Sequence, residues 1–257
     1  MTSERGDEIA SVVKAFRLLQ IFGPGVPRVT ITKAAELAGM SKPSARRLLL
    51  TCVSQEFMAT DGREFWLTPK VMRLGFSYMS TLPFWETAQP HLRGVAEQLQ
   101  ESCSMATLDG DEIVYVMRIP VRRGLITLNV GSRLPAHATS LGKALLAFSP
   151  DSAVEEFLGR APFEALTEHT ITTAEGLREE LAKVRTMGYA ISDSEREIGV
   201  RSASAPILDR AGAASAAINV SANAVRVSRE ELEDRYVPVL RQAAESISAE
   251  LRYSGAV

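Results

Sequence analysis

The chain has 257 residues, 46% hydrophobic and 23% charged, an ordinary globular balance with room for two domains. No apolar run approaches ~18 residues, and Glu4, Asp7 and Glu8 stand where a secretory leader would be basic and then apolar, so membrane spanning and secretion are argued against. Cys52 and Cys103 have no nearby ligand cluster, so neither a disulfide framework nor a metal site is expected, and the setting read from the sequence is a reducing cytoplasm.

The net charge of −2 hides an asymmetry. Residues 1–80 carry 11 Lys and Arg against 7 Asp and Glu, a balance of +4, while residues 81–257 carry 18 against 24, a balance of −6. A basic first third suits a polyanionic partner.

In residues 8–22, Ile9, Val12, Val13, Phe16 and Leu19 recur at helical spacing, predicting an amphipathic helix that GPGVP at 23–27 ends. Gly23-x-Gly25 lacks the preceding strand and third glycine of a dinucleotide loop. From Thr30 to Val53 the chain reads as a helix, a glycine turn and a second helix. Thr30 or Thr32 caps the first, Ala34, Leu37 and Ala38 form its buried side, Gly39 takes the left-handed position and Met40 plugs the turn. Ser41 caps the second helix, with Pro43 in its first turn. There Ala45, Leu48, Leu49, Cys52 and Val53 share one side, while Pro43, Arg47, Leu50 and Thr51 point the opposite way, flanked by Ser44 and Arg46.

That pattern predicts a helix-turn-helix with its second helix in the major groove, Arg46 and Arg47 reading guanine edges and Ser41, Lys42 and Ser44 holding phosphates. The blander reading is a solvated amphipathic helix. Next, EFMATDGREFWLT predicts a tight hairpin with a primed turn around Asp61-Gly62, making the motif a winged helix. Arg63 at its tip is placed to reach a phosphate or the minor groove, although loop-tip arginines are often only solvated. Thr68-Pro69 opens a linker helix carrying Val71, Leu74 and Tyr78, which Pro83 ends.

Beyond it, Pro90, Leu92, Val95 and Leu99 predict a helix with Pro90 in its first turns, ending near Glu101. Ser104–Leu108 and Ile113–Ile119 flank Asp109-Gly110-Asp111 as a hairpin, Arg122 and Arg123 lie in the following loop, and Leu125–Val130 reads as a third strand. Residues 131–148 read as a loop entering a helix at Thr139, Ser140 and Leu141, whose free N–H groups and hydroxyls suit an anion. With no GxSxG around Ser140, a nucleophile reading is weak.

Thr172-x-x-Glu175 predicts a capping box for a helix with Leu177, Leu181 and Val184, ended by Gly188. Tyr189–Asp193, Ala203–Leu208 and Ala216–Val220 read as strands. Ser228-x-x-Glu231 caps a last helix that Pro238 bends. The fold class is α+β, with an antiparallel sheet flanked by helices.

AGMSKPSARRLLLT, TDGREFWLTPKVMRLGFSYM, AQPHL, ESCSMATLDGDEIVYVMRIPVRR, GSRLPAHATSLGKALLA, EIGVRSASAP and AAINVSANAVRVS resemble, in order, the blocks of the IclR family of bacterial transcriptional regulators. The Ser-Ala-Arg-Arg helix and TDG…LTP wing are most similar to the branch controlling protocatechuate, 4-hydroxybenzoate and β-ketoadipate catabolism. The resemblance implies a winged helix-turn-helix over 1–68, a linker helix over 69–83 and a GAF-like effector domain over 84–257, assembled as a homodimer or homotetramer on an operator. It also implies an effector pocket lined by Leu128, Val130, Ser140, Leu141, Asp193, Val200, Ser202, Asn219 and Ser221. Each of these has a bland alternative as core or backbone-satisfying residue. The family often has Gly and Ala, or Ser and Met, where this chain has Ser140 and Leu141, so a bulky Leu141 shrinks or reshapes the cavity.

The leading function is therefore a DNA-binding regulator controlled by a small organic acid, a catabolic aromatic acid or a short dicarboxylate such as β-ketoadipate. Asp193 would repel such an acid unless a ligand hydroxyl donates to it, or Arg133 or Arg201 neutralises it. The alternative is a small-molecule enzyme with an accessory winged helix, but His91, His137 and His169 lie in unlike contexts and no nucleophile pairs with a base. An RNA-binding reading lacks an aromatic-studded strand.

Overall fold

The computed structural model describes residues 8–23, 25–121 and 128–254, and the chain divides into two units, one through Thr81 and one from Leu82 onward.

In the first unit, α1 (Ala10–Gln20) buries Leu18. The stripe expected to pack inward is only partly used, because Ile9, Val12 and Phe16 are exposed. The strand β1 (Val29–Thr30) leads into α2 (Ile31–Leu37), and of the two candidate caps it is Thr30 whose hydroxyl accepts from the Lys33 amide. Gly39 takes φ +61 in the turn. The Ser41 hydroxyl caps α3 (Lys42–Ser54) by accepting from the Ser44 amide. Leu49 of α3 joins Leu18, Val29, Ala34, Ala38, Met58 and Phe65 in one small core, and Ala45 of the same helix is fully buried.

The wing is β2 (Met58–Thr60) and β3 (Glu64–Leu67), with β3 between β1 and β2. Thr60 pairs with Phe65, so the turn centres on Gly62 and Arg63, one residue later than Asp61-Gly62. Gly62 at φ +94 holds the first central position, the primed geometry that matches strand twist. A single helical turn, Pro69–Val71, then leads into α4 (Met72–Thr81), on which Met72, Leu74, Phe76 and Tyr78 are all exposed.

The second unit opens with α5 (Trp85–Leu99), which starts earlier than its proline suggested and carries Pro90 at its sixth residue. Strands β4 (Ser102–Asp109) and β5 (Glu112–Ile119) form the expected hairpin. Of the expected strand Leu125–Val130, residues 125–127 lie outside the described residues, as do Arg122 and Arg123, and Leu128–Val130 are not strand. The strand at this edge is instead β6 (Arg133–Pro135), paired with Glu112–Val114 of β5.

Helices α6 (Ser140–Ala147), α7 (Asp151–Leu158) and α8 (Ala174–Met187) follow. Thr173 caps α8, one residue after the expected Thr172, because its own hydroxyl reaches the Gly176 amide. Strands β7 (Ala190–Asp193), β8 (Val200–Leu208) and β9 (Ala214–Asn223) complete an antiparallel sheet ordered β6-β5-β4-β9-β8-β7.

Ser228 caps α9 (Arg229–Glu231), a π-helical turn spans Leu232–Tyr236, and α10 (Val237–Ser254) closes the unit. The proline's effect falls just ahead of it, since Pro238 has no N–H to give the preceding turn.

The sheet is buried on both faces. Ala203, Ala205 and Ile207 of β8 and Ala216, Ile218 and Val220 of β9 pack with α5 and α10. Ala106, Tyr115 and Ala217 pack with α6 and α8. Alternation therefore sends Ser202 and Ser204 of β8, and Asn219 and Ser221 of β9, to the α6 side. Register sets Ser202 opposite Ser221 and Ser204 opposite Asn219.

Candidate DNA-reading face and effector cavity

On α3 the outward positions Lys42, Arg46, Arg47, Leu50 and Thr51 are exposed, and Ser44 is half-buried. Among the described residues none of Lys42, Arg46, Arg47 and the wing's Arg63 has an ion-pair partner. The Arg63 backbone amide donates to Asp61 Oδ1 at 2.9 Å, as does that of Glu64 at 2.8 Å, and these bonds hold the Asp61 carboxyl below its usual range. The wing tip is thus braced by backbone, which leaves the Arg63 guanidinium uncommitted. Thr51 is a partial exception, because its hydroxyl donates to the Arg47 carbonyl at 2.9 Å.

The second site is internal. Leu128, Ser140, Leu141, Val200, Ser202, Asn219 and Ser221, seven of the nine expected pocket residues, line one cavity of about 30 Å³. That is space for roughly two waters. Val130 is half exposed and does not line it. Asp193 also lies outside it, with Oδ2 at 2.7 Å from a terminal nitrogen of Arg201, in an open groove beside Lys143 and Glu195. Of the two arginines named as its neutraliser, Arg201 is thus the one in contact, whereas Arg133 pairs with Asp109 and Glu112.

At the start of α6 the side-chain hydroxyls are already bonded within the protein. Ser140 is fully buried, its hydroxyl 2.8 Å from that of Ser202 and receiving a bond of 2.7 Å from Ser204. Thr139 Oγ1 accepts from the Gly142 amide at 3.1 Å. The helix also comes against the Ala136 backbone so closely that a Cβ on Gly142 would lie 2.0 Å from the Ala136 carbonyl oxygen. These contacts fix the helix start beside the cavity, which Thr139, Ser140 and Leu141 line.

Beneath it, Lys143 is 1% exposed, with Nζ 2.6 Å from Glu195 and 3.2 Å from Glu180. Burial raises the Glu195 pKa despite the facing ammonium. Thr170 also donates to the Glu195 carbonyl at 2.6 Å, so the segment after β7 is held from two sides.

Sequence reasoning missed Tyr115, Leu134, Ser192, Arg196 and Glu197 as cavity-lining residues. Strand alternation would have found Tyr115 and Ser192. Arg196 and Glu197 lie in a loop, where periodicity gives no signal. Burial raises the Tyr115 pKa, and Asn219, 3% exposed, donates from Nδ2 to Ser221 at 3.1 Å while its Oδ1 has no partner.

A winged helix with uncommitted cations, joined in one chain to an α+β unit with a polar internal cavity, defines a DNA-binding regulator with a sensor domain. Residues 11–62 match the IclR helix-turn-helix domain and residues 76–249 the bacterial transcriptional regulator IclR C-terminal domain, so the chain belongs to the IclR family.

The Pca regulon regulatory protein of Pseudomonas putida is 38% identical, over 95% of this chain and 85% of that protein. The p-hydroxybenzoate hydroxylase transcriptional activator of Acinetobacter baylyi is 34% identical, over 94% and 91%. Both place the chain with the protocatechuate and hydroxybenzoate branch. A transcriptional regulator structure from Rhodococcus sp. RHA1 superposes with a TM-score of 0.86 at 38% identity, over 96% of this chain and all of that one. A double mutant of the PobR inducer-binding domain from Acinetobacter, complexed with 3-hydroxybenzoic acid, superposes at 0.59 with 32% identity, over 63% and 96%.

Proposed function

We propose that the chain is a non-enzymatic, effector-responsive regulator in which residues 1–68 read an operator, 69–83 link and 84–257 bind a hydroxylated aromatic acid. The observation that carries the DNA half is the exposed cluster Lys42, Arg46, Arg47 and Arg63, left without counter-ions among the described residues. Such a surface neutralises DNA phosphates and releases the counterions condensed on them, which makes binding salt-dependent. Arg46 and Arg47 take base edges, and Ser41, Lys42, Ser44, Thr51 and Arg63 take backbone.

Two supports favour the aromatic acid. Relatives are a Pca regulon regulator and a p-hydroxybenzoate hydroxylase activator, and a double mutant of the PobR inducer-binding domain holds 3-hydroxybenzoic acid. Ser140 hydrogen-bonds two serine hydroxyls instead of a base, which favours binding over nucleophilic chemistry.

The active species is a homo-oligomer. One winged helix buries too little surface for tight discrimination, and the exposed apolar residues of α1 and α4 suit a second copy. Footprinting of the upstream DNA by the full chain should protect inverted half-sites, with a dimer or larger assembly in sedimentation. A monomer protecting one half-site would contradict this.

A further inference from the structure

We propose that the open groove along β7 is a second ligand site, separate from the effector cavity, and that it takes a neutral polyhydroxylated molecule such as a monosaccharide or a cyclic polyol.

β7 is an edge strand of the sheet, and the groove beside it has a volume of about 1090 Å³, walled by α8, by the segment after β7 and by Arg229 and Glu233. It has no described lining residue in common with the effector cavity, although both are built on α6 and β7. Ser140 and Ser192 line the cavity, whereas Lys143 and Asp193 line the groove.

A chain of charged groups runs along the groove. Arg201 contacts Asp193 at 2.7 Å, and the Asp193 amide donates to the Glu195 carboxylate. Glu195 in turn lies 2.6 Å from Lys143 Nζ, with Glu180 3.2 Å from the same ammonium. Two atoms of this chain are left over. Glu195 is 7% exposed and its Oε2 is buried without a partner, as is Arg201 Nε. Among the described residues three buried side-chain atoms lack a partner, and the third, Asn219 Oδ1, belongs to the effector cavity. An unpaired buried polar atom is costly, so it marks a place that a ligand or water completes.

The two atoms differ in kind, since Glu195 Oε2 accepts and Arg201 Nε donates. A ligand serving both must donate and accept, which hydroxyl groups do. Charge points the same way. Lys143, Arg201 and Arg229 are already paired with carboxylates of this groove, so an anion gains them in full only by breaking a pair, and a ligand cation beside Glu195 meets Lys143. A neutral polyol makes its bonds and breaks none. Both atoms are covered in the free protein, so the ligand reaches them through a small side-chain rotation or a bridging water. Tyr189 and Met187, also in the groove wall, offer apolar surface to the C–H face of a sugar ring.

The test is saturation-transfer NMR and calorimetry of the full chain with D-glucose, D-xylose and myo-inositol. Set against them are D-glucuronate and 6-amino-6-deoxy-D-glucose, which add a charge to the same ring, and cyclohexanol, which keeps a ring and a single hydroxyl. At least one neutral polyol should bind with a Kd of about 1 mM or tighter, and each of the three comparison compounds at least about tenfold more weakly. Arg201→Lys keeps a cation for Asp193 and removes Nε, and should weaken that polyol roughly five- to tenfold. Glu195→Gln should do the same. Because Glu195→Gln also takes a carboxylate from the buried Lys143, Ala182→Trp serves as an independent variant, filling the groove from an exposed position on α8, and should abolish binding. No binding of any of the three neutral polyols would show that the orphaned atoms hold water only, and overturns the proposal. Tighter binding of a charged ring overturns the neutral class, and unchanged binding in Ala182→Trp or in Arg201→Lys overturns the site.

Discussion

The chain's two candidate sites treat charge in opposite ways. On α3 and the wing, Lys42, Arg46, Arg47 and Arg63 have no counter-ion among the described residues. In the sensor unit Arg133, Arg160, Arg178, Arg185, Arg196 and Arg201 each contact a carboxylate. Uncommitted cations on an exposed helix are ready for a polyanion at no cost of exchange. Committed ones are open to a ligand's charge only once an internal partner is displaced. The first arrangement favours affinity and the second favours switching, because displacement alters the protein.

The largest expected effect tests whether the sensor cavity is held shut by one side chain. Leu141 is 1% exposed at the start of α6. Leu141→Ala should cost about 2 to 5 kcal/mol in urea unfolding of the free protein. Saturating 3-hydroxybenzoate should restore more stability to this variant than to wild type. Equal stabilisation of both would show that the cavity's size does not limit binding.

Next in size is the reading face. Arg47→Ala should weaken specific operator binding by about 1 to 3 kcal/mol, whereas Arg63→Ala should weaken all sequences evenly and reduce the salt slope by about 1. If Arg47→Ala leaves specific and non-specific binding intact, α3 is not the helix in the groove.

A smaller effect separates the units by pH. His137 lies 5.0 Å from Phe163 in a stacked pair, its Nε2 3.0 Å from the Glu164 carbonyl, and burial holds its pKa below the usual 6.5. The unfolded chain therefore takes up a proton first as pH falls. Stability contributed by the neutral ring is complete above about 6.5 and is lost below it, until the folded ring also titrates. His137→Phe keeps the stacking partner and should flatten the acid loss by up to about 1 kcal/mol in urea melts at about pH 7.5 and about pH 5.5. A variant as acid-sensitive as wild type would place the loss elsewhere.

The two regions also differ in how much of them the sequence disclosed. The reading head follows from local rules, with Thr30 and Ser41 as caps, Gly39 at its positive φ and Ala45 and Leu49 buried opposite the arginines. Each depends on neighbours within a turn, so periodicity finds it. The cavity depends on cross-strand register, which set Ser202 against Ser221, and on tertiary pairing, which drew Asp193 to Arg201. No local pattern encodes either. The strand β6 was likewise missed because Arg133, Leu134 and Pro135 make a short edge paired on one side only. Ile9, Val12 and Phe16 have helical spacing but are not buried by any of the described residues, so their pattern was visible and their use was not.

The claim that joins the two regions is that an acid bound in the sensor unit changes what the reading head does. The direct measurement is operator affinity of the full chain with and without saturating 3-hydroxybenzoate, at fixed salt, with binding of the acid confirmed by calorimetry. Affinity should change by about 5- to 150-fold, a coupling of roughly 1 to 3 kcal/mol. Operator affinity unchanged while the acid is bound would contradict the account.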